Sequence, residues 1–189
     1  AVMGLAMGTS EAVGYVNAGS SLLGWFSELA FAPVDLNERA MRDEWSGDRG
    51  VGCKYFSQDA VAKLAPAAGI ALSERLTPAE KLKEVQKLAE QGLPYAQEIF
   101  RSIGVYLGHT LCLYERLYDI RSLIVLGRVA SGVGGELIVA ECRRVLEEEY
   151  PELAQKLCVM LPDEKFRRVG QSMAAASLPE ISPCRSARG

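Results

Sequence analysis

Ser122-Leu123-Ile124-Val125-Leu126-Gly127, followed by Ser131-Gly132-Val133-Gly134-Gly135-Glu136, is the passage that decides the architecture. A short run of β-formers closes on a glycine. No alternation of apolar and polar residues is visible in it, as for a strand covered on both faces. A glycine cluster comes next, then a helix over 136–149 with Leu137, Ala140, Cys142, Val145 and Leu146 as its apolar face. In open α/β sheets, ligands sit beyond the carboxyl ends of strands, against helix N-termini. The passage therefore suits a nucleotide seat, and equally a plain strand-to-helix connection. It is not a P-loop, because no Gly-Lys-Ser/Thr follows the glycines.

Upstream, Thr77-Pro78-Ala79-Glu80 starts a helix, with threonine as cap, proline at the first position and glutamate three residues after the cap. Leu82, Val85 and Leu88 follow at helical spacing, and Gly92 ends the run. Pro94 opens a longer helix with Ile99, Ile103, Leu107, Leu111 and Tyr114 on one stripe. Residues 57–65 read as a short helix capped by Ser57. Downstream, 156–161 reads as a strand, 169–176 as a last short helix and 182–189 as a loose polar tail. The first quarter reads as three antiparallel strands, at 2–7, 13–17 and 22–26, joined by tight turns. Gly8-Thr9-Ser10 forms the first of these turns. It offers backbone N–H groups and two hydroxyls to a phosphate, or serves as an ordinary hairpin turn. Three antiparallel strands followed by β-α-β-α make an α/β fold, a mixed sheet flanked by helices, in the order of the ribonuclease-H-like unit. We expect one lobe over 1–181 and a disordered tail over 182–189.

The 189 residues carry 21 Lys+Arg and 24 Asp+Glu, a net charge of −3, and 49% are hydrophobic. That balance excludes wholesale disorder and argues against a nucleic-acid-coating protein. No uninterrupted apolar run approaches the roughly 18 residues of a membrane span, and residues 1–7 lack the basic start of a secretory signal. Five cysteines stand apart (Cys53, Cys112, Cys142, Cys158 and Cys184), none in a Cys-x-x-Cys pair, so reduced thiols in a cytoplasmic protein are expected. His109 is the single histidine and lies within a helix, where a structural role is expected.

On these elements the chain resembles the C-terminal lobe of the ROK (repressor, open reading frame, kinase) sugar kinases, glucokinase-like members of the actin-like ATPase superfamily. Leu5-Ala6-Met7-Gly8-Thr9-Ser10 with Gly14 is similar to that family's second phosphate motif, Ser10 replacing a glycine. Residues 123–129 resemble its adenosine motif, with Arg128 where a further glycine is usual. Gly104 to Gly108 resembles the segment packed between lobes. Ser27-Glu28-Leu29-Ala30-Phe31 lies where the family has Gly-Glu-x-Gly-His, so Glu28 keeps the acid that contacts sugar hydroxyls and Phe31 replaces the histidine. Trp45 to Cys53 lies where the family has Cys-x-Cys-Gly-x-x-Gly-Cys. Only Gly52-Cys53 survives there, with Ser46 and Asp48 at the other ligand positions, so no zinc or other metal is expected. Asp43, Glu44 and Asp48 are then read as solvated loop charges.

The resemblance implies ATP with Mg²⁺ bound between lobes. Gly8, Thr9 and Ser10 would face the β/γ phosphates, Gly127, Arg128, Gly134 and Gly135 the adenosine, and Glu28 a hexose-like sugar. The catalytic base and first phosphate loop belong to an N-terminal lobe that does not precede Ala1, so no catalytic residue is assigned and this chain alone is expected to be inactive. The expected partners are that lobe, a nucleotide and a sugar, with no nucleic acid and no membrane. The oligomeric state stays open, a homo-oligomer included. The alternative reading is a non-catalytic module of the same fold, serving sugar sensing or protein assembly.

Overall fold

The computed structural model describes residues 1–19 and 28–162. The expected strand at 22–26, the helix at 169–176 and the tail at 182–189 lie outside them. Strands β1 (Val2–Met7) and β2 (Glu11–Val16) form a hairpin. A long excursion then carries two 3-10 turns, at Leu29–Phe31 and Gly52–Lys54. Helices α1 (Gln58–Ala67), α2 (Pro78–Glu90) and α3 (Pro94–Tyr118) come next. The last described elements are β3 (Ser122–Leu126), α4 (Gly132–Glu149), α5 (Pro151–Lys156) and β4 (Cys158–Met160).

The described sheet has the order β2-β1-β3-β4. β1 and β2 are antiparallel, whereas β1–β3 and β3–β4 are parallel. Strand periodicity puts alternate residues on one face. Met3, Leu5, Met7, Val13, Tyr15, Leu123, Val125 and Val159 are buried there, in one cluster with the helices. Their neighbours Gly4, Ala6, Ile124 and Leu126 are only half-buried. β3 is thus an alternating strand in this set of residues, not one buried equally on both sides, because the described helices all pack on one face.

The helices follow their local signals. Ser57 Oγ accepts from Asp59 N, capping α1. The Thr77–Glu80 capping box on α2 closes in both directions, at 3.3 Å to the Glu80 N–H and 2.8 Å from the Thr77 N–H. The α3 stripe Ile99, Ile103, Leu107, Leu111 and Tyr114 is almost fully buried. Gly104 and Gly108 face α4, where a Cβ on Gly104 would lie 2.5 Å from the Ile138 carbonyl and one on Gly108 would lie 2.7 Å from Val145 Cβ. Their small size serves close packing of α3 on α4. α4 begins at Gly132 rather than 136, and Lys156 ends a short helix, which leaves only 158–160 as strand.

Candidate functional site

Because β1 and β3 are parallel neighbours, their carboxyl ends emerge at the same edge of the sheet. The two glycine turns therefore meet. Val129 N–H donates to Met7 O at 3.1 Å, tying the turn after β3 to the end of β1. Gly127 has φ +91°, and a Cβ there would stand 2.3 Å from Met7 O. No other residue fits this position without moving the strand. Gly8 differs: its nearest neighbour to an added Cβ is Ser10 O at 3.8 Å, so the fold itself leaves room at Gly8. The turn is held by Gly8 N–H to Ser10 O (3.0 Å) and by Gln58 N–H, at the start of α1, to Gly8 O (2.9 Å). Thr9 and Ser10 are exposed.

Beyond β3, Gly127 and Arg128 are exposed, and among the described residues no carboxylate pairs with the Arg128 guanidinium. The Arg128 carbonyl accepts from Gln86 Nε2 (2.8 Å) and Ser131 Oγ (2.6 Å), which locks the turn to α2. Gly134 and Gly135 are buried. A Cβ on the first would strike the Phe100 ring at 2.7 Å and one on the second Ala130 O at 2.1 Å. They are glycines because the first turn of α4 packs tightly; Gly134 keeps a backbone N–H outside the intrahelical ladder, whereas Gly135 N–H bonds back to the carbonyl of the N-cap Ser131. No side chain caps that helix start, and its amides point toward the shared edge.

Beside the first turn lies a hollow of about 260 Å³ lined by Thr9, Ser10, Phe31, Asp43, Trp45, Cys53, Lys54 and Asp59. The Phe31 and Trp45 rings pack against each other, tilted by 38° with 5.5 Å between centroids. Lys54 is buried and meets three carboxylates: Asp59 at 2.8 Å, Asp43 at 3.5 Å and Glu44. Burial opposes its charge, but the hydrogen bonds to Asp59 and Glu44 outweigh it and raise its pKa. Asp43 is thus no solvated loop charge. It is buried, and the Ser46 N–H, first among several partners, holds its carboxyl below the usual range. Glu44 and Asp48 are exposed, with Glu44 committed to Lys54.

The positions read against metal ligands carry other bonds. Ser46 Oγ accepts from Asp48 N–H at 3.1 Å, and the Cys53 thiol donates to Asp43 at 3.6 Å. Burial, then the Asp43 charge, pushes that thiol up to about 11, away from the thiolate a metal needs. Glu28 is exposed and lines a different concavity, with Tyr15, Asn17 and the end of α3. The structure thus brings Gly8, Thr9, Ser10, Gly127 and Arg128 to one edge, keeps Gly134 and Gly135 beneath it, and leaves Glu28 apart. His109 stands on α3 with its Nδ1 3.0 Å from Tyr150 Oη, away from this edge.

No family model and no curated protein matches the sequence. Solved structures do. A ROK-family glucokinase from Streptomyces griseus, in complex with glucose and AMPPNP, superposes with a TM-score of 0.63 at 22% identity, over 85% of this chain and 55% of that one. The fold is that of the ROK proteins. A ROK hexokinase from Thermus thermophilus matches with a TM-score of 0.62 at 17% identity, over 86% and 52% of the two chains. A ROK transcriptional regulator, a homologue of the E. coli MLC protein, gives 0.63 at 16% identity, over 85% and 41%. The chain therefore spans about half the length of the ROK structures it matches. No helix among the described residues is long and apolar enough to cross a membrane.

Two features of the edge were missed by the sequence reading: Lys54 with its carboxylates, and Glu11, buried one residue after the Ser10 turn. Glu11 was open to discovery, since it falls in the alternation of inward-facing Val13 and Tyr15. Lys54 carried no local signal.

Proposed function

We propose that this chain is the nucleotide-binding, C-terminal lobe of a ROK-like sugar kinase, with the strand order of a ribonuclease-H-like unit. The observation that carries the reading is the meeting of the Gly8–Ser10 and Gly127 turns at one sheet edge, beside the uncapped start of α4. The open space over Gly8 suits close approach of a phosphate, and the exposed Thr9 and Ser10 hydroxyls add donors. Gly127 and the Gly134 amide would face adenosine and ribose, with the exposed Arg128 beside them. ATP, arriving with Mg²⁺, supplies the transferable phosphoryl group. The residues here bind and orient it, and the ring pair Phe31–Trp45 closes the hollow on the acceptor side. A hexose-like acceptor, oriented in part by Glu28, and a catalytic base from an N-terminal lobe would complete a cytoplasmic phosphotransferase. This lobe alone then transfers nothing.

Titration calorimetry of the complete two-lobed protein with Mg-AMPPNP tests the reading. Wild type should bind, and Gly8→Val should weaken binding at least about tenfold with an unchanged Tm, because only the ligand needs that space. Equal affinity in the two proteins refutes the assignment.

A second reading, a non-catalytic module for sugar sensing or assembly, is favoured by Phe31 where the resembling family has histidine and by the Lys54 ion cluster where it has thiols. Binding of neither Mg-ATP nor any of a sugar panel by the complete protein supports it.

A further inference from the structure

Glu11 is the first residue of β2, directly after the Gly8–Ser10 turn, and is only 5% exposed. It occupies an inward position where the alternation with Val13 and Tyr15 calls for an apolar side chain. One carboxyl oxygen accepts from Tyr114 Oη of α3 at 3.3 Å. The other, Oε2, is buried with no hydrogen-bond partner. A Cβ placed on Gly52 would lie 2.1 Å from this oxygen and 2.7 Å from the Leu29 carbonyl oxygen, so both oxygens converge on one side of Gly52. The Leu29 oxygen already accepts from the Ala32 N–H at 2.9 Å, so Glu11 Oε2 is the acceptor left without a donor. An unpaired buried carboxylate is costly, and the commonest resolution is to keep it neutral.

We propose that Glu11 is a positioning residue whose protonated form directs the Oε2 proton to the Leu29 carbonyl, latching the two 3-10 turns onto the glycine turn. The proton turns the unpartnered Oε2 into a donor, and the Leu29 oxygen, which takes the Ala32 N–H with one lone pair, accepts it with the other. Those two turns contribute Phe31, Cys53 and Lys54 to the hollow beside Thr9 and Ser10. The groups facing Glu11 are the Tyr114 hydroxyl from α3, the Cys53 thiol from the second 3-10 turn and the backbone of Leu29. Among the described residues no lysine or arginine pairs with it. Burial pushes the carboxyl up to about 7, against the opposing pull of the Tyr114 hydrogen bond. Loss of the proton puts a charge among those groups, and relief requires water, hence release of the turns. The link to the hollow rests on the proposed function, whereas the latch does not.

Carbon-13 NMR of the full chain labelled at glutamate Cδ, with amide hydrogen exchange of wild type and Glu11→Gln, tests this. One glutamate carboxyl should titrate near neutrality in wild type and be missing from Glu11→Gln. Raising the pH from about 6 to about 8 should cost the Gly52, Tyr55 and Phe56 amides about tenfold more protection in wild type than in Glu11→Gln, which mimics the protonated side chain. Absence of any glutamate titrating above about pH 6 overturns the proposal, and so does equal loss of protection in both proteins. If Glu11→Gln does not fold, the wild-type titration alone decides. No nucleotide enters either measurement, so failure here leaves the reading of the glycine turns standing, and failure of nucleotide binding leaves the latch standing.

Discussion

Lys54 shows how a single side chain can hold a long excursion of chain. Its ammonium joins Asp43 and Glu44 of the loop to Asp59 of α1, and the Asp43 carboxylate in turn takes the Cys53 thiol and the Ser46 N–H. The lysine and Asp43 are both buried, so removing the cation strands a charge instead of deleting a surface pair. Lys54→Met should therefore lower stability by about 3 kcal/mol in urea denaturation, whereas Glu44→Gln, at an exposed partner, should cost far less. Equal small effects would show the cluster to be incidental. The glycines divide in the same physical terms. Gly127 is fixed by a positive φ and the Met7 backbone and Gly134 and Gly135 by packing, whereas an added Cβ at Gly8 meets only the Ser10 oxygen at 3.8 Å.

At the level of elements, the α3–α4 pair forms the scaffold beneath the candidate site. Gly104 and Gly108 bring α4 close enough for Ile138, Cys142 and Val145 to pack on α3, and Phe100 of α3 fills the space over Gly134. A methyl at Gly104 would meet the backbone oxygen of Ile138, which cannot rotate away. Ala favours an isolated helix over Gly by about 1 kcal/mol, but forcing two packed helices apart costs more. Gly104→Ala should thus destabilise by about 2 kcal/mol, read as a lower Tm, and a raised Tm would mean the helices are not in tight contact. The capping box of α2 and the apolar stripe of α3 were legible from spacing alone, because each depends on residues three or four apart. The start of α4 was not. Four glycine-rich positions give no propensity signal, and the helix there is imposed by Phe100 and the Ala130 turn.

For the molecule as a whole, stability should peak on the acid side of neutrality. The Glu11 carboxyl rises from 4.5 to about 7 on folding, so between those values the folded chain holds a proton that the unfolded chain has released. Stability from this group is complete below the unfolded value and is lost as pH rises through the window, by about 3 kcal/mol in all. The carboxyls of Asp43, Glu44 and Glu80 are lowered, by the Ser46 N–H, Lys54 and Thr77 respectively, so their contribution is lost as pH falls below the ordinary carboxylate range. Thermal melts should show a maximum near about pH 5 and a decline toward about pH 7.5 that Glu11→Gln abolishes. A flat wild-type profile over that range would contradict the buried charge.

The sequence by itself determined the hairpin at β1–β2, the capped and striped helices, β3, and the two glycine turns that end β1 and β3. Each follows from near neighbours along the chain, through periodicity, caps and glycine punctuation. Only the tertiary structure decided that the turns adjoin, that Gly134 and Gly135 serve packing, that Asp43 is buried on a lysine, and that one oxygen of the buried Glu11 carboxyl sits without a partner. Burial and charge pairing depend on which distant segments meet (residue 11 with 29, 52 and 114) and no spacing within the chain encodes that meeting.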